Sequence, residues 1–170
     1  MAVPERLRIA VDALDVRPRD RILEIGCGRG VAAALICERL TTGTLVAIDR
    51  SEKAIAAAAE RNADAVAQGK AIFATTAMED VHPPTLDPFD KVLAVNVNLF
   101  WTKPPARELR LIAALLKPAG RLVLCYDPPG PQQRDRLADL LDRHLREAGY
   151  TVGSASEGTA FVVTATPSAA

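Results

Sequence analysis

Glycines stand at positions 26, 28 and 30, directly after Ile22-Leu-Glu-Ile25 and directly before Val31-Ala-Ala-Ala-Leu-Ile-Cys-Glu-Arg-Leu40. An apolar run carrying one acid, then glycines, then a helical pattern makes a place where bare backbone can come close to a ligand. The backbone N–H groups and the helix N-terminus would then face a polar or anionic group. Spacing limits the choice of ligand. A dinucleotide loop needs a third glycine three positions after its second, and Val31 stands there. The pattern present is Gly-x-Gly-x-Gly, with Glu24 two residues ahead of it and Cys27 reading as a small residue in a tight turn. A second acid, Asp49, closes the next apolar run and is followed by Arg50 and Ser51. Farther along, Asn96-Val-Asn-Leu-Phe-Trp101 and Tyr126-Asp127 each follow or end an apolar run, and their amides, rings and carboxylate suit the orientation of an organic molecule. Asn96, Tyr126 and Asp127 are the candidate catalytic residues, with His82, Tyr126 and Asp127 the groups that could serve as a base. The sequence spells out no Ser-His-Asp set and no metal-ligating cluster.

These residues need elements to position them. Helical patterns alternate with short apolar runs, which predicts a parallel sheet covered by helices on both faces. A first helix is expected over 4–15, with Pro4 near its start. Strands are expected over 21–25, 44–48, 70–74, 89–95 and 121–126, and helices over 31–40, 52–68, 104–116 and 132–148. Ser51 can cap the helix over 52–68 and Gly69 can stop it. The prolines of 81–88 and 127–131 predict loops, and Lys117-Pro-Ala-Gly120 predicts a turn. Two β-prone runs remain, 150–154 and 159–166. They lie too close together for a parallel crossover and should pair antiparallel. The tail 167–170 is expected to fray. His144 falls on the apolar stripe Leu137, Leu140, Leu141, Leu145 and Ala148 and reads as a packing residue.

Four segments in order resemble the class I S-adenosylmethionine-dependent methyltransferases. They are Ile22-Leu-Glu-Ile-Gly-Cys-Gly-Arg-Gly30, Val46-Ala-Ile-Asp-Arg-Ser51, Pro88-Phe-Asp-Lys-Val-Leu-Ala-Val95 and Leu116-Lys-Pro-Ala-Gly-Arg-Leu-Val-Leu124. The resemblance implies a Rossmann-like α/β three-layer sandwich whose sheet runs 3-2-1-4-5-7-6, with strand seven antiparallel. It implies S-adenosylmethionine as the cofactor. Gly26, Cys27, Gly28 and Gly30 would then bring backbone to its methionyl part, and Glu24 would help hold its amino end. Asp49, flanked by Arg50 and Ser51, would accept from the ribose hydroxyls. Ala77, Met78 and Glu79 occupy the place after strand three where the family holds adenine, and Asn96 would approach the cofactor from the end of strand four. The Pro-Pro-Tyr element of the adenine- and amide-N-methylating members is missing after strand four. Asp127-Pro-Pro-Gly130 follows strand five instead and reads as a loop. Cys125 lies where the RNA cytosine methyltransferases carry a nucleophile, but their companion Pro-Cys element is missing.

Composition narrows the partners. A chain of 170 residues, 49% hydrophobic and 25% charged, is expected to form one globular domain over 1–170. Its formal net charge is zero and no long basic run occurs, which argues against a nucleic-acid partner. No apolar run is long enough to suggest a membrane span, and the three cysteines read as reduced thiols of a cytoplasmic protein. The expected acceptor is a small molecule, with insertions so short that a homodimer could supply a lid. A rival reading is a cofactor-binding partner subunit that transfers no methyl group; a nicotinamide-dependent oxidoreductase fits Asp49 but not Val31.

Overall fold

The computed structural model describes residues 2–169. In chain order the elements are α1 (Glu5–Leu14), β1 (Arg21–Ile25), α2 (Val31–Arg39), β2 (Thr44–Asp49), α3 (Glu52–Arg61), α4 (Ala63–Ala67) and β3 (Ala71–Thr75). Then come β4 (Phe89–Val95), α5 (Ala106–Leu115), β5 (Leu116–Tyr126), α6 (Pro131–Glu147), β6 (Tyr150–Glu157) and β7 (Ala160–Pro167). The strands form one sheet in the order β3-β2-β1-β4-β5-β7-β6. The first five are parallel neighbours, and β7 runs antiparallel to both β5 and β6. That is the sheet order the family resemblance implies.

Period-two alternation divides the central strands between two cores. Ile22, Leu45, Ala47, Leu93, Val123 and Cys125 pack with Ile9, Val11, Leu14, Ile36 and Ala58 of α1, α2 and α3. Leu23, Ile25, Val46, Ile48, Val92, Ala94, Leu122 and Leu124 pack on the other face with Leu109 and Ile112 of α5 and Leu141 and Leu145 of α6. Lys91 falls on the α1 face by the same alternation. Its Nζ donates to Asp20 Oδ2 at 2.6 Å and to the carbonyl of Asp15, the left-handed residue that ends α1. Asp20 also accepts from the Arg17 backbone N–H at 2.8 Å, so this buried pair fastens the end of α1 to the middle of the sheet.

Several boundaries differ from expectation. The helix over 52–68 is two helices, broken at Asn62, whose buried side chain donates to the Ala58 and Gly30 carbonyls. Residues 117–120 lie inside β5: Leu116 pairs with Phe89 and Arg121 with Lys91, so the turn is a bulge opposite Asp90. The bulge is held where Lys117 Nζ reaches Asp90. The last two strands are longer than expected because the hairpin turns at Gly158, where φ is +57°. Pro167 therefore belongs to β7 and pairs with Tyr150, and Ser168 N–H donates to the Gly149 carbonyl. The frayed tail shrinks accordingly; Ala170 lies outside the described residues. Within the 81–88 loop, Pro83–Thr85 makes one tight helical turn. No helix among the described residues is long and apolar enough to cross a membrane.

Candidate active site

Strand order reverses between β1 and β4, so the loops leaving their carboxyl ends diverge and open a crevice. The glycine loop fills the β1 side. Gly26 and Cys27 N–H both donate to the Ile48 carbonyl, at 2.8 and 3.0 Å, which bends the chain away from the sheet. Gly26 has φ +68°, and a Cβ there would lie 2.8 Å from Val97 Cγ2 across the crevice. Gly30 has φ +74° and opens α2; a Cβ there would meet Ala58 Cα at 2.9 Å. Asn62, by donating to the Gly30 carbonyl at 3.0 Å, braces the loop from α3. The glycine pattern thus has two physical causes: all three positions have positive φ, and at Gly26 and Gly30 the Val97 side chain and the Ala58 backbone leave no room for a Cβ.

Two acids stand beneath the loop. Asp49 Oδ2 accepts from Gly28 N–H and Oδ1 from Ser51 N–H, both at 2.9 Å. Ser51 in turn caps α3, its Oγ accepting from Ala54 N–H at 3.1 Å. Glu24 is buried, and its Oε2 has no hydrogen-bond partner among the described residues. Burial first, and the Asp49 carboxylate second, push its pKa up to about 8. An orphaned buried carboxyl beside a glycine loop fits a cationic ligand group, because a buried polar atom without a partner is costly.

A cavity of about 520 Å³ opens beside the loop, lined by Gly26, Asp49, Arg50, Ala77, Met78 and Glu79, and closed by Val97 to Leu99, Thr102 and Lys103. Arg50 reaches across its mouth to Glu79 at 2.7 Å. The Glu79 backbone amide, the largest influence, and Arg50 together outweigh desolvation and hold the Glu79 carboxyl below its ordinary range.

A second cavity of about 530 Å³ lies over β5, between the loop after β4 and the N-terminal half of α6. Asn98 lines both cavities, so the helical turn Asn98–Phe100 is the partition between them. Two bonds hold that partition: Tyr126 Oη donates to the Val97 carbonyl at 2.8 Å, and His144 Nδ1 lies 3.1 Å from the Phe100 carbonyl. Asn96, at φ +53°, turns the corner out of β4 and accepts from Asp127 N–H at 3.1 Å. Burial, and to a lesser degree Cys125, raises the Tyr126 pKa far above its ordinary value, and its proton is already committed to Val97.

Of the residues singled out from sequence, Gly26, Asp49, Arg50, Ala77, Met78 and Glu79 line the first cavity. Glu24, Cys27, Gly28, Gly30 and Ser51 lie outside that lining, in the strand and loop that shape it. Asn96, Tyr126 and Asp127 line the second cavity, so the structure places Asn96 with the candidate catalytic pair and not with the candidate cofactor set. His82 lines neither cavity, and the Cys125 thiol is buried against the Arg6 carbonyl. Thr76, beside the expected Ala77 and Met78, also lines the first cavity, whereas Thr102, Lys103, Gln133, Arg136, Leu137 and Leu140 were not expected to line either site. For the two α6 leucines a signal existed. Leu137 and Leu140 share the stripe of buried Leu141 and Leu145 but stay half-buried, because they face the cavity.

A family described as a methyltransferase domain matches residues 22–120, more than half of the chain. The chain belongs to this family. It is a class I S-adenosylmethionine-dependent methyltransferase, and S-adenosylmethionine is its cofactor. It is 28% identical over 142 residues to the Bacillus subtilis protein YrhH, named as a methyltransferase, covering 81% of this chain and 74% of that one. It is 33% identical over 136 residues to a protein-L-isoaspartate O-methyltransferase of Methylorubrum extorquens, covering 79% of this chain and 54% of the relative. The chain thus spans about half of the latter's length. The magnesium protoporphyrin IX methyltransferase of Synechocystis, solved with S-adenosylmethionine bound, shares the fold with a TM-score of 0.69 at 19% identity, over 95% of this chain and 78% of that one.

Proposed function

We propose that this methyltransferase acts on a small organic acceptor, which enters the cavity between α6 and the loop after β4 while the cofactor lies in the cavity beside the glycine loop. The observation that carries the reading is the shared wall: two cavities of similar volume meet at Asn98, at the strand-order reversal. Asp49 would release its hold on part of the loop to take the ribose hydroxyls, Glu24 would face the amino end, and Gly26, Cys27 and Gly28 would approach with backbone. Ala77, Met78 and Glu79 would border the adenine. Bound there, S-adenosylmethionine supplies a methyl group on a positively charged sulfur, already activated for displacement. What remains for the chain is alignment, which is worth roughly 7–11 kcal/mol in well-oriented reactions.

Tyr126 and Asn96 work as positioning residues. The first fixes the partition through Val97; the second fixes the Asp127 backbone. The Asp127 carboxylate lines the cavity with no hydrogen bond or ion pair among the described residues, which places it to act as the base. Calorimetry of S-adenosylmethionine binding to wild type and Asp49→Ala tests the donor site. The variant is expected to bind at least about tenfold more weakly, from the loss of charge-assisted bonds. Wild-type affinity in Asp49→Ala would sink the assignment.

A further inference from the structure

The acceptor cavity carries more information than its position. Its long walls are apolar: Trp101 on one side, Pro128 and Pro129 at the end of β5, and Leu137 and Leu140 on α6. Trp101 is the chain's one tryptophan, and it is 38% exposed, one of three exposed large hydrophobic residues among the described residues. The other two, Val66 and Ile72, lie on α4 and β3 and border no cavity of this site. At about 530 Å³ the space is within the range that encloses drug-sized organic molecules. Flat rings lined by flat walls are the efficient way to fill it.

The charges in this cavity are placed at different elements. Asp127 sits at the sheet end beside Asn96, and Arg136 sits on α6, in its second turn. Arg136 is exposed and makes no ion pair and no hydrogen bond among the described residues, as is true of several other arginines; what sets it apart is its place in the lining of this cavity. A guanidinium left unpaired on the wall of an apolar cavity recognises a carboxylate by two parallel hydrogen bonds. A carboxylate drawn to Arg136 leaves the opposite end of the ligand toward Asn96, Asn98 and Asp127, where a hydroxyl can donate.

Resting on the two-cavity reading above, we infer that the acceptor is an aromatic or alicyclic hydroxy acid, its rings stacked between Trp101 and the α6 leucines and its carboxylate paired with Arg136. The uncharged form of the same skeleton fits the walls but lacks the pairing, so specificity rests on the anion.

The probe is 6-hydroxy-2-naphthoate, compared with its isosteric amide, 6-hydroxy-2-naphthamide, on the full chain. The indole N–H resonance of Trp101 reports occupancy of this cavity directly and needs no turnover. The acid is expected to shift that resonance with an affinity about tenfold tighter than the amide. Arg136→Gln is expected to erase the difference while leaving the amide's affinity unchanged. Equal affinity for acid and amide in the wild type overturns the inference, as does a preference that survives Arg136→Gln or a Trp101 resonance that neither compound moves. Titrations run with and without S-adenosylhomocysteine, whose own binding is read by calorimetry. A donor site that fails therefore shows as lost calorimetric heat, separately from the Trp101 response.

Discussion

Glu24 is the residue where chemistry and stability pull in opposite directions. Its pKa rises from 4.5 to about 8 in the folded chain, through burial and then through Asp49. Between those values the folded protein keeps a proton that the unfolded chain has shed, so Glu24's contribution to stability is present at low pH and is lost as pH rises through about 8. Glu24→Gln removes the group that must charge. The melting temperature of the cofactor-free variant should exceed wild type by a margin that grows from about pH 5 to about pH 8. The cofactor's ammonium group favours the carboxylate, so binding near pH 7 should release about one proton in wild type and none in the variant. Calorimetry in buffers of different ionisation enthalpy reads that release; equal release in both proteins would remove Glu24 from the site. Tyr126 makes a second case. Its hydroxyl donates to Val97, so Tyr126→Phe should cost about 0.5–1.5 kcal/mol in denaturant unfolding through loss of that bond.

At the scale of elements, the glycine loop depends on a helix distant in sequence. Asn62 ends α3 and donates to both Ala58 and Gly30, tying the helix to the loop it does not directly follow. Asn62→Ala leaves the Gly30 carbonyl without that donor and should destabilise by about 1–3 kcal/mol. In a chain of this size each kcal/mol corresponds to roughly 2–4 °C in melting temperature. Cofactor affinity should fall in the same variant, since the loop loses its brace. A thermal scan beside a binding isotherm separates the two effects, and an unchanged melting temperature would show that the brace is idle. The Gly-x-Gly-x-Gly spacing was legible from sequence because part of its cause is local: a strand must turn into a helix within five residues at positive φ; the close approach of Val97 and Ala58 was not legible. The role of Asn62 was not, because the same residue read simply as one position in a longer helix.

For the whole molecule, the buried Lys91–Asp20 pair decides how α1 sits on the sheet. Removing one partner strands the other in the core, so Lys91→Met should cost about 3–5 kcal/mol, measured by denaturant unfolding. A loss below about 1 kcal/mol would mean that water reaches Asp20 in the variant. The two faces of the sheet divide the labour. One carries α1, α2 and α3 beneath the glycine loop and its acids; the other carries α5 and α6 beneath the acceptor cavity. Only their assembly brings Asn98 to the border of both cavities.

Sequence alone pointed to the residues proposed for the donor side. The glycines, Glu24 and Asp49 belong to short strand–turn–helix units, and patterns a few residues long carry the constraints of a tight turn and a buried strand. The alternation of apolar runs with helical patterns likewise carried the layered parallel fold, and the hairpin followed from two runs too close for a crossover. Only tertiary structure brought together the residues proposed for the acceptor side. Trp101, Asp127 and Arg136 come from the loop after β4, the loop after β5 and α6, and nothing local distinguishes Arg136 from any other exposed arginine on an amphipathic helix. Its meaning comes from where α6 lies on the sheet, which is set by burial of Leu141 and Leu145 in the core on that face.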